Sequence, residues 1–232
     1  MTWQAVWQRK GQSAQSTTLT LADLLRVNGY DTGAGAMDAK TWRTYVAQIQ
    51  KLLAINTSTP VCEIGCGAGA FLYPLYEQGI TVAGIDYADA SIAVARQAMP
   101  EMTFQVGEAR QLPWADAQFA VALSCSVFQY FPDMDYARQV VQAMVQIVQP
   151  GGQVAILDLP DAAKQTAAES YRRGQLPPAE YERLYAGLPH RYYAKAWFQE
   201  LAHELRLSWH ISDQALAGYG NAAYRFNVFF QR

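Results

Sequence analysis

The stretch "VCEIGCGAGAFL", residues 61–72, constrains the fold of this chain more than any other. Gly65, Gly67 and Gly69 fall at alternate positions directly after a short apolar run. Glycine has no Cβ and accepts backbone angles closed to other residues, so such a turn lets a ligand approach the main chain. The apolar run reads as a buried strand, and "AGAFLYPLYEQG" after it as a helix despite Pro74. A helix starting at such a turn offers its N-terminus to a carboxylate or phosphate. Alone, the turn is ambiguous. It meets the relaxed dinucleotide pattern G-x-G-x-x-A through Ala70, and a purely structural glycine turn reads the same way.

The rest of the chain narrows the choice. "TVAGID", "MTFQVG", "QFAVALSCS" and "QVAILDL" read as further strands. Between them, "ADASIAVARQAM" is a helix capped by Asp89 or Ser91 and stopped by Pro100. "DMDYARQVVQAMVQIVQ" is another, with Ala137, Val140, Val141, Met144, Val145 and Val148 facing inward. Strands alternating with helices predict a parallel sheet covered on both faces. The tail differs. Residues 161–188 read as one or two polar helices broken by "LPP", and "AKAWFQELAHEL" as an amphipathic helix. "RLSWHIS" and "AYRFNVFFQR" alternate as strands that close the sheet edge as an antiparallel pair. Ahead of Pro60, residues 1–37 read as irregular. "DAKTWRTYVAQIQKLL" then forms a helix capped by Asp38, with Trp42, Tyr45, Val46, Ile49, Leu52 and Leu53 on one stripe.

Hydrophobic residues make up 51% and charged residues 16%, which supports a sizeable core and excludes disorder. A formal net charge of -2 offers no attraction to a nucleic-acid backbone or an anionic membrane. The first residues lack the apolar core of a signal peptide, and no apolar run is long enough to span a bilayer. Three cysteines, Cys62, Cys66 and Cys125, fit a reducing cytoplasm. No second Cys/His pair completes a metal site with Cys62 and Cys66, so no metal is expected.

In an open parallel sheet, ligands sit at the carboxyl ends of the strands near the switch point. Asp86 closes the second strand, where a carboxylate can accept both hydroxyls of a ribose; otherwise it is an ordinary helix-entry residue. Glu108 follows the third strand, where a carboxylate can accept from an exocyclic amine such as that of adenine; otherwise it is a solvated loop charge.

"CEIGCGAGAFL", "VAGIDYADASIAVAR", "FQVGEARQLPWADAQFA" and "VQPGGQVAILDL" occur in this order over residues 60–160. Together they resemble the class I methyltransferases that use S-adenosylmethionine. Glu63 before the first glycine and the Pro150–Gly152 turn belong to that family more than to dehydrogenases. The resemblance implies an α/β, doubly wound Rossmann-like sheet of five parallel strands with a C-terminal antiparallel hairpin and an N-terminal helical cap. Residues 1–59 would form the cap or lid, residues 60–232 the methyltransferase domain, and about 161–198 an acceptor-binding insertion. It further implies that Glu63, Gly65, Gly67 and Gly69 belong to the cofactor site and that Asp86 holds the ribose hydroxyls. Tyr87 would stack on adenine, with Glu108 and Ala109 at its edge. Ser124, Gln129 and Tyr130 would lie near the sulfonium and the acceptor. The chain departs from the family in two places. Glu108 stands where Asp is commoner, and Ala120 where an Asp, mostly architectural, is usual.

Methyl transfer to a protonated nucleophile needs a base. His190, beside Arg191, Tyr192 and Tyr193, is the first candidate, and Asp158 at the end of the fifth strand is the second. His203 and His210 read as structural. Tyr192 and Tyr193 are expected at the acceptor, as is Tyr30 from an N-terminal lid that also holds Trp3 and Trp7. No Asn-Pro-Pro-Tyr-like motif follows the fourth strand, and no basic stripe exists. The expected acceptor is therefore a small metabolite methylated on O or N, with no nucleic-acid or membrane partner, by a monomer or homodimer. Two alternatives stand beside this one. The first is a cofactor-binding partner subunit without activity of its own. The second is an NAD(P)-dependent oxidoreductase, for which Tyr192 and Lys195 have the wrong spacing.

Overall fold

Strand pairing in the computed structural model, which describes residues 2–13 and 18–232 (Leu184 by its backbone only), gives one seven-stranded sheet. The parallel part comprises β1 (Val61–Ile64), β2 (Val82–Asp86), β3 (Thr103–Val106), β4 (Phe119–Cys125) and β5 (Val148–Pro160). β7 (Arg225–Gln231) runs antiparallel between β5 and β6 (Ser208–Asp213), giving the order β3-β2-β1-β4-β5-β7-β6. The chain reverses direction across the sheet between β1 and β4, so the carboxyl ends of β1, β2 and β4 frame a crevice. The Pro150–Gly152 segment lies within β5 rather than before it, where the pairing with β4 shifts register.

The period-two pattern sends alternate residues to the two faces. Val61 joins a core cluster with Trp42, Phe71 and Leu75, whereas Cys62 and Ile64 join one with Val140, Met144 and Phe198. β1 and β2 are buried along their whole length, which is why they read as continuous apolar runs. Each fully buried Leu, Val, Ile or Phe contributes about 1.5–3 kcal/mol relative to exposure. At the far edge, Trp209 of β6 keeps 39% of its surface exposed.

The helices follow their caps, with corrections. In α3 (Ala39–Leu52), Asp38 accepts from Thr41 N at 2.7 Å, and Trp42, Tyr45, Val46 and Ile49 are buried. Leu53 takes the inward place where the helix ends, so Leu52 turns to solvent, 56% exposed. Two helices occupy the part read as irregular: α1 (Trp3–Gln12) and α2 (Leu21–Val27). A capping box starts α2: Thr20 N donates to Asp23 Oδ2 at 2.9 Å, and Asp23 N to Thr20 Oγ1 at 3.4 Å. Residues 14–17 of that part lie outside the described residues.

The helix expected after the glycine turn shrinks to α4 (Tyr73–Tyr76), preceded by consecutive turns. No long helix therefore points its N-terminus into the crevice from there. Neither Asp89 nor Ser91 caps α5 (Asp89–Ala98); Ala88 is the N-cap, and its N–H is taken by Asp86 Oδ1 at 2.8 Å. α1 packs on α5 through the buried Gly11, where an added Cβ would lie 2.5 Å from Ser91 N. In α6 (Met134–Ile147), Asp133 accepts from Tyr136 N at 2.7 Å. α7 (Gln165–Arg173) and α8 (Pro178–Tyr185) flank the "LPP" break, and α9 (Lys195–Leu205) leads to β6. Among the described residues no helix is long and apolar enough to cross a membrane.

Candidate functional site

The glycine turn is tied to the end of β2. Gly65 N and Cys66 N donate to Ile85 O at 2.8 and 3.0 Å, and Gly67 N donates to Asp86 Oδ2 at 2.9 Å. Gly65 (φ +78°) and Gly67 (φ +54°) both lie in the left-handed region. An added Cβ would stand 2.5 Å from Val127 Cγ2 at Gly65, and 2.5 Å from Asn28 Oδ1 at Gly67. Asn28, just past α2, clasps the turn: its Oδ1 accepts from Ala68 N at 2.7 Å and its Nδ2 donates to Cys66 O at 3.1 Å. Gly69 has a different use. Its Cβ would meet Met99 Cε at 2.4 Å, and it does not wall the crevice, so it permits packing rather than ligand approach.

The crevice has two lobes with a common wall of Trp3, Gly65, Asp86, Tyr87, Val127 and Tyr130. The first lobe lies toward β3, against Gly107, Glu108, Ala109 and Tyr136. Glu108 is exposed, and its Oε2 accepts from Tyr136 OH at 2.7 Å. The second lobe lies toward β4 and β5, against Tyr30, Ser126, Gln129, Asp158, His190 and Tyr219. Trp3 and Trp7 of α1 cover it. Trp3 Nε1 donates to Pro189 O at 3.3 Å, and its ring lies 4.6 Å from that of Tyr130 and 5.2 Å from that of His190.

Asp86 is 8% exposed. Burial lifts its carboxyl to about 6, against the backbone N–H groups of Ala88, Gly67 and Tyr87 that favour the anion. Asp158, left-handed at φ +61°, sits deeper. Its Oδ2 accepts from Ser126 Oγ at 2.5 Å and Tyr219 OH at 2.8 Å, while its Oδ1 is sealed and has no partner. Burial raises its carboxyl, opposed by the charge of Arg225 and then by the two hydroxyls. His190 is pushed well below the usual imidazole range, first by burial and then by Arg172 and Arg225. It is therefore neutral, and a weak proton acceptor.

Several assigned residues stand elsewhere. Ser124 is fully buried outside the crevice walls, with its Oγ unpartnered; Ser126, left-handed at φ +56° just past β4, lines the second lobe instead. Glu63 lies sealed outside the walls with its Oε2 unpartnered, and burial, then the charge of Asp86, pushes its carboxyl well up. Tyr193 is a core residue whose OH donates to Phe128 O at 2.8 Å. Tyr192 also lies outside the walls, and His203 and His210 are exposed. Tyr30, Gln129, Tyr130 and His190 do meet in the second lobe. Asn28, Ser126, Arg172, Tyr185, Tyr219 and Arg225 were not anticipated there. Among the described residues no group of three or more His, Cys, Asp or Glu could hold a metal.

The first lobe suits an adenosyl group. A backbone bend that a Cβ would fill adjoins a buried carboxylate, an aromatic ring at Tyr87 and a carboxylate at the far edge, Glu108. Residues 62–156 match the Methyltransferase domain family. The chain is 27% identical over 152 residues to the malonyl-[acyl-carrier protein] O-methyltransferase of Serratia marcescens, covering 61% of this chain and 58% of that protein. It is 36% identical over 101 residues to a ubiquinone biosynthesis O-methyltransferase of Pseudomonas putida, covering 40% of this chain and 41% of that protein. The chain thus spans about half the length of the curated relatives it matches. In fold it is similar to the PH0226 protein of Pyrococcus horikoshii OT3, with a TM-score of 0.67 at 18% identity over 89% of this chain and 97% of that one. In its glycine turn, its strand order and these likenesses, the chain is similar to the class I S-adenosylmethionine-dependent methyltransferases, whose domain family its residues 62–156 match.

Proposed function

We propose that this chain moves a methyl group from S-adenosylmethionine to an O or N atom of a small metabolite held in the second lobe. The observation that carries this reading is the wall common to both lobes: a ligand lying along Gly65, Asp86 and Tyr87 borders the first lobe and the second at once. Asp86 would hold the ribose hydroxyls, Tyr87 would stack on adenine, and Glu108 and Ala109 would meet its edge. Residues 1–59 would act as the lid, since Trp3 and Trp7 cover the second lobe. Residues 161–198 would supply acceptor contacts through Arg172, Tyr185 and His190.

When bound, S-adenosylmethionine supplies a methyl carbon already activated by its sulfonium. The chain's part is alignment and exclusion of water. Trp3, Trp7 and Tyr130 shield the site, and Tyr30 closes it beside Trp42, ring centroids 4.3 Å apart. Asp158 takes the proton of a hydroxyl or ammonium acceptor by way of the Ser126 or Tyr219 hydroxyl, which passes its own proton to Oδ2, since Oδ1 is sealed. Its raised carboxyl is a stronger base than an ordinary aspartate, and Ser126 and Tyr219 fix its orientation. His190 is better read as a wall of the acceptor site, because a proton on it would face Arg172 and Arg225.

The test is a calorimetric titration with S-adenosylhomocysteine, followed by a screen of small hydroxyl- and amine-bearing metabolites with labelled methyl donor. Absence of saturable binding sinks the proposal. Tight binding with no transfer to any acceptor replaces it with the partner-subunit reading.

A further inference from the structure

The acceptor side of the crevice contains one cation that the surrounding protein leaves uncompensated. Arg172 lies in the last turn of α7 and walls the second lobe. Its Nε and Nη1 are sealed from solvent and hold no hydrogen bond. The adjacent Arg173 pairs with Glu182 at 3.5 Å and also lies over the Tyr181 ring, 5.0 Å from Cζ to its centroid. Among the described residues Arg172 makes no ion pair, and its one partner is the face of Tyr181, 5.6 Å from Cζ to ring centroid.

Lys10, Arg225, Asp86 and Asp158 of the lobe each hold at least one polar partner. Lys10 pairs with Asp31 at 3.2 Å. Arg225 Nη1 donates to Asp158 O at 3.2 Å and Gln129 Oε1 at 3.5 Å. Asp86 is occupied by Gly67 N and Ala88 N, and Asp158 Oδ2 by two hydroxyls. Arg172 is half-buried, and cutting two of its guanidinium nitrogens off from water without an anion is unfavourable; a planar carboxylate bound to this guanidinium offsets that penalty.

Position separates acceptor from donor. The groups on which the Arg172 charge acts include Tyr185, His190 and Tyr192, all in the segment after β5. None of them walls the first lobe. The second lobe that Arg172 walls also carries Leu176 and an aromatic group, with the Trp3 ring 6.5 Å from that of Tyr185 and 5.2 Å from that of His190.

We propose that Arg172 anchors a carboxylate of the acceptor, which makes the substrate a small aromatic or apolar organic acid. The methylated atom is a different one, because a carboxylate whose lone pairs are held by a guanidinium is a poor nucleophile. This inference rests on the methyl-transfer reading above.

The full chain, saturated with S-adenosylhomocysteine, is titrated calorimetrically with benzoate and with its neutral isostere benzamide. We expect benzoate to bind at least about tenfold more tightly. Arg172→Gln should erase that preference while the S-adenosylhomocysteine Kd stays within about twofold. Arg172→Lys, which keeps the charge but not the planar fork, should retain part of it. Equal binding of the two probes, no saturable benzoate binding, or an undiminished preference in the Gln variant overturns the proposal. If the Gln variant fails to fold, the Lys variant decides the matter, since a preference equal to that of the wild type there removes the bidentate anchor. Failure of the wild-type chain to bind S-adenosylhomocysteine instead sinks the methyl-transfer reading.

Discussion

The two lobes of the crevice are built by different means. The first is assembled mostly from successive strand ends: the turn after β1, Asp86 and Tyr87 at β2, and residues 107–109 after β3. Its central contacts are main-chain groups, with Gly67 N and Ala88 N both on the Asp86 carboxylate. The second gathers side chains from α1, the segment after α2, the ends of β4 and β5, α7, the loop at His190 and the last strand. Its central contacts are between side chains: Ser126 and Tyr219 on Asp158, and Arg225 on Gln129. A lobe made of backbone tolerates almost no change of shape. One made of side chains can be respecified while the first lobe stays intact.

That contrast can be broken at four places. The largest effect is expected at Gly65→Ala, where the new Cβ would meet Val127 Cγ2 at 2.5 Å on a backbone with φ +78°. S-adenosylhomocysteine binding should weaken on the order of a hundredfold, a value built from strain of roughly 3 kcal/mol. Val127→Ala in the same chain should recover part of it. If Gly65→Ala binds normally, the first lobe is not backbone-limited.

Asp158→Asn comes next. Turnover should fall by about a hundredfold or more with donor affinity retained, and His190→Ala should lower turnover by less. Equal losses would restore His190 as a base.

Asp86→Asn should weaken donor binding by about tenfold, the loss of a charge-assisted hydrogen bond. It also has a signature in pH. Burial raises this carboxyl from 3.8 to about 6, so the folded state holds the proton more tightly than the unfolded chain. The resulting stability is fully present below about pH 3.8 and is lost as pH rises through about 6. The difference corresponds to roughly 3 kcal/mol. The Asn variant lacks this loss, so its Tm relative to wild type should improve between pH 4 and pH 7. A pH-independent gap would show that Asp86 is not buried as a charge.

The smallest effect is expected at Tyr193→Phe. Loss of the buried bond to Phe128 O should cost about 1 kcal/mol of stability and leave methyl transfer unchanged. A selective loss of turnover would return Tyr193 to the acceptor site.

The same contrast explains what was legible. Gly65, Gly67 and Asp86 are constrained by their own neighbours: an absent Cβ, a strand end, a turn. The five parallel strands and the Asp38 cap are legible on the same grounds. α2 was missed although a Thr20–Asp23 capping box starts it, because the mixed polarity around it hides the signal. Ser124 and Ser126 are two residues apart on one strand end, and only the left-handed turn at Ser126 selects which hydroxyl reaches Asp158. Tyr192 and Tyr193 sit in the densest aromatic cluster, yet composition cannot say that one hydroxyl caps a core carbonyl. Arg172 reads as one more charge on a polar helix until its burial is known.

Alternation of apolar residues, glycine placement and capping side chains act over a few neighbouring positions, and they were enough to determine the layered sheet and the glycine turn. Which groups share the second lobe was decided only when distant segments packed, as Trp3 does against Pro189 and Arg225 against Gln129. The physical reason is desolvation. The raised carboxyl of Asp158 and the neutral ring of His190 follow from losing water, as does the cost of the two sealed nitrogens of Arg172, and that loss depends on the whole fold.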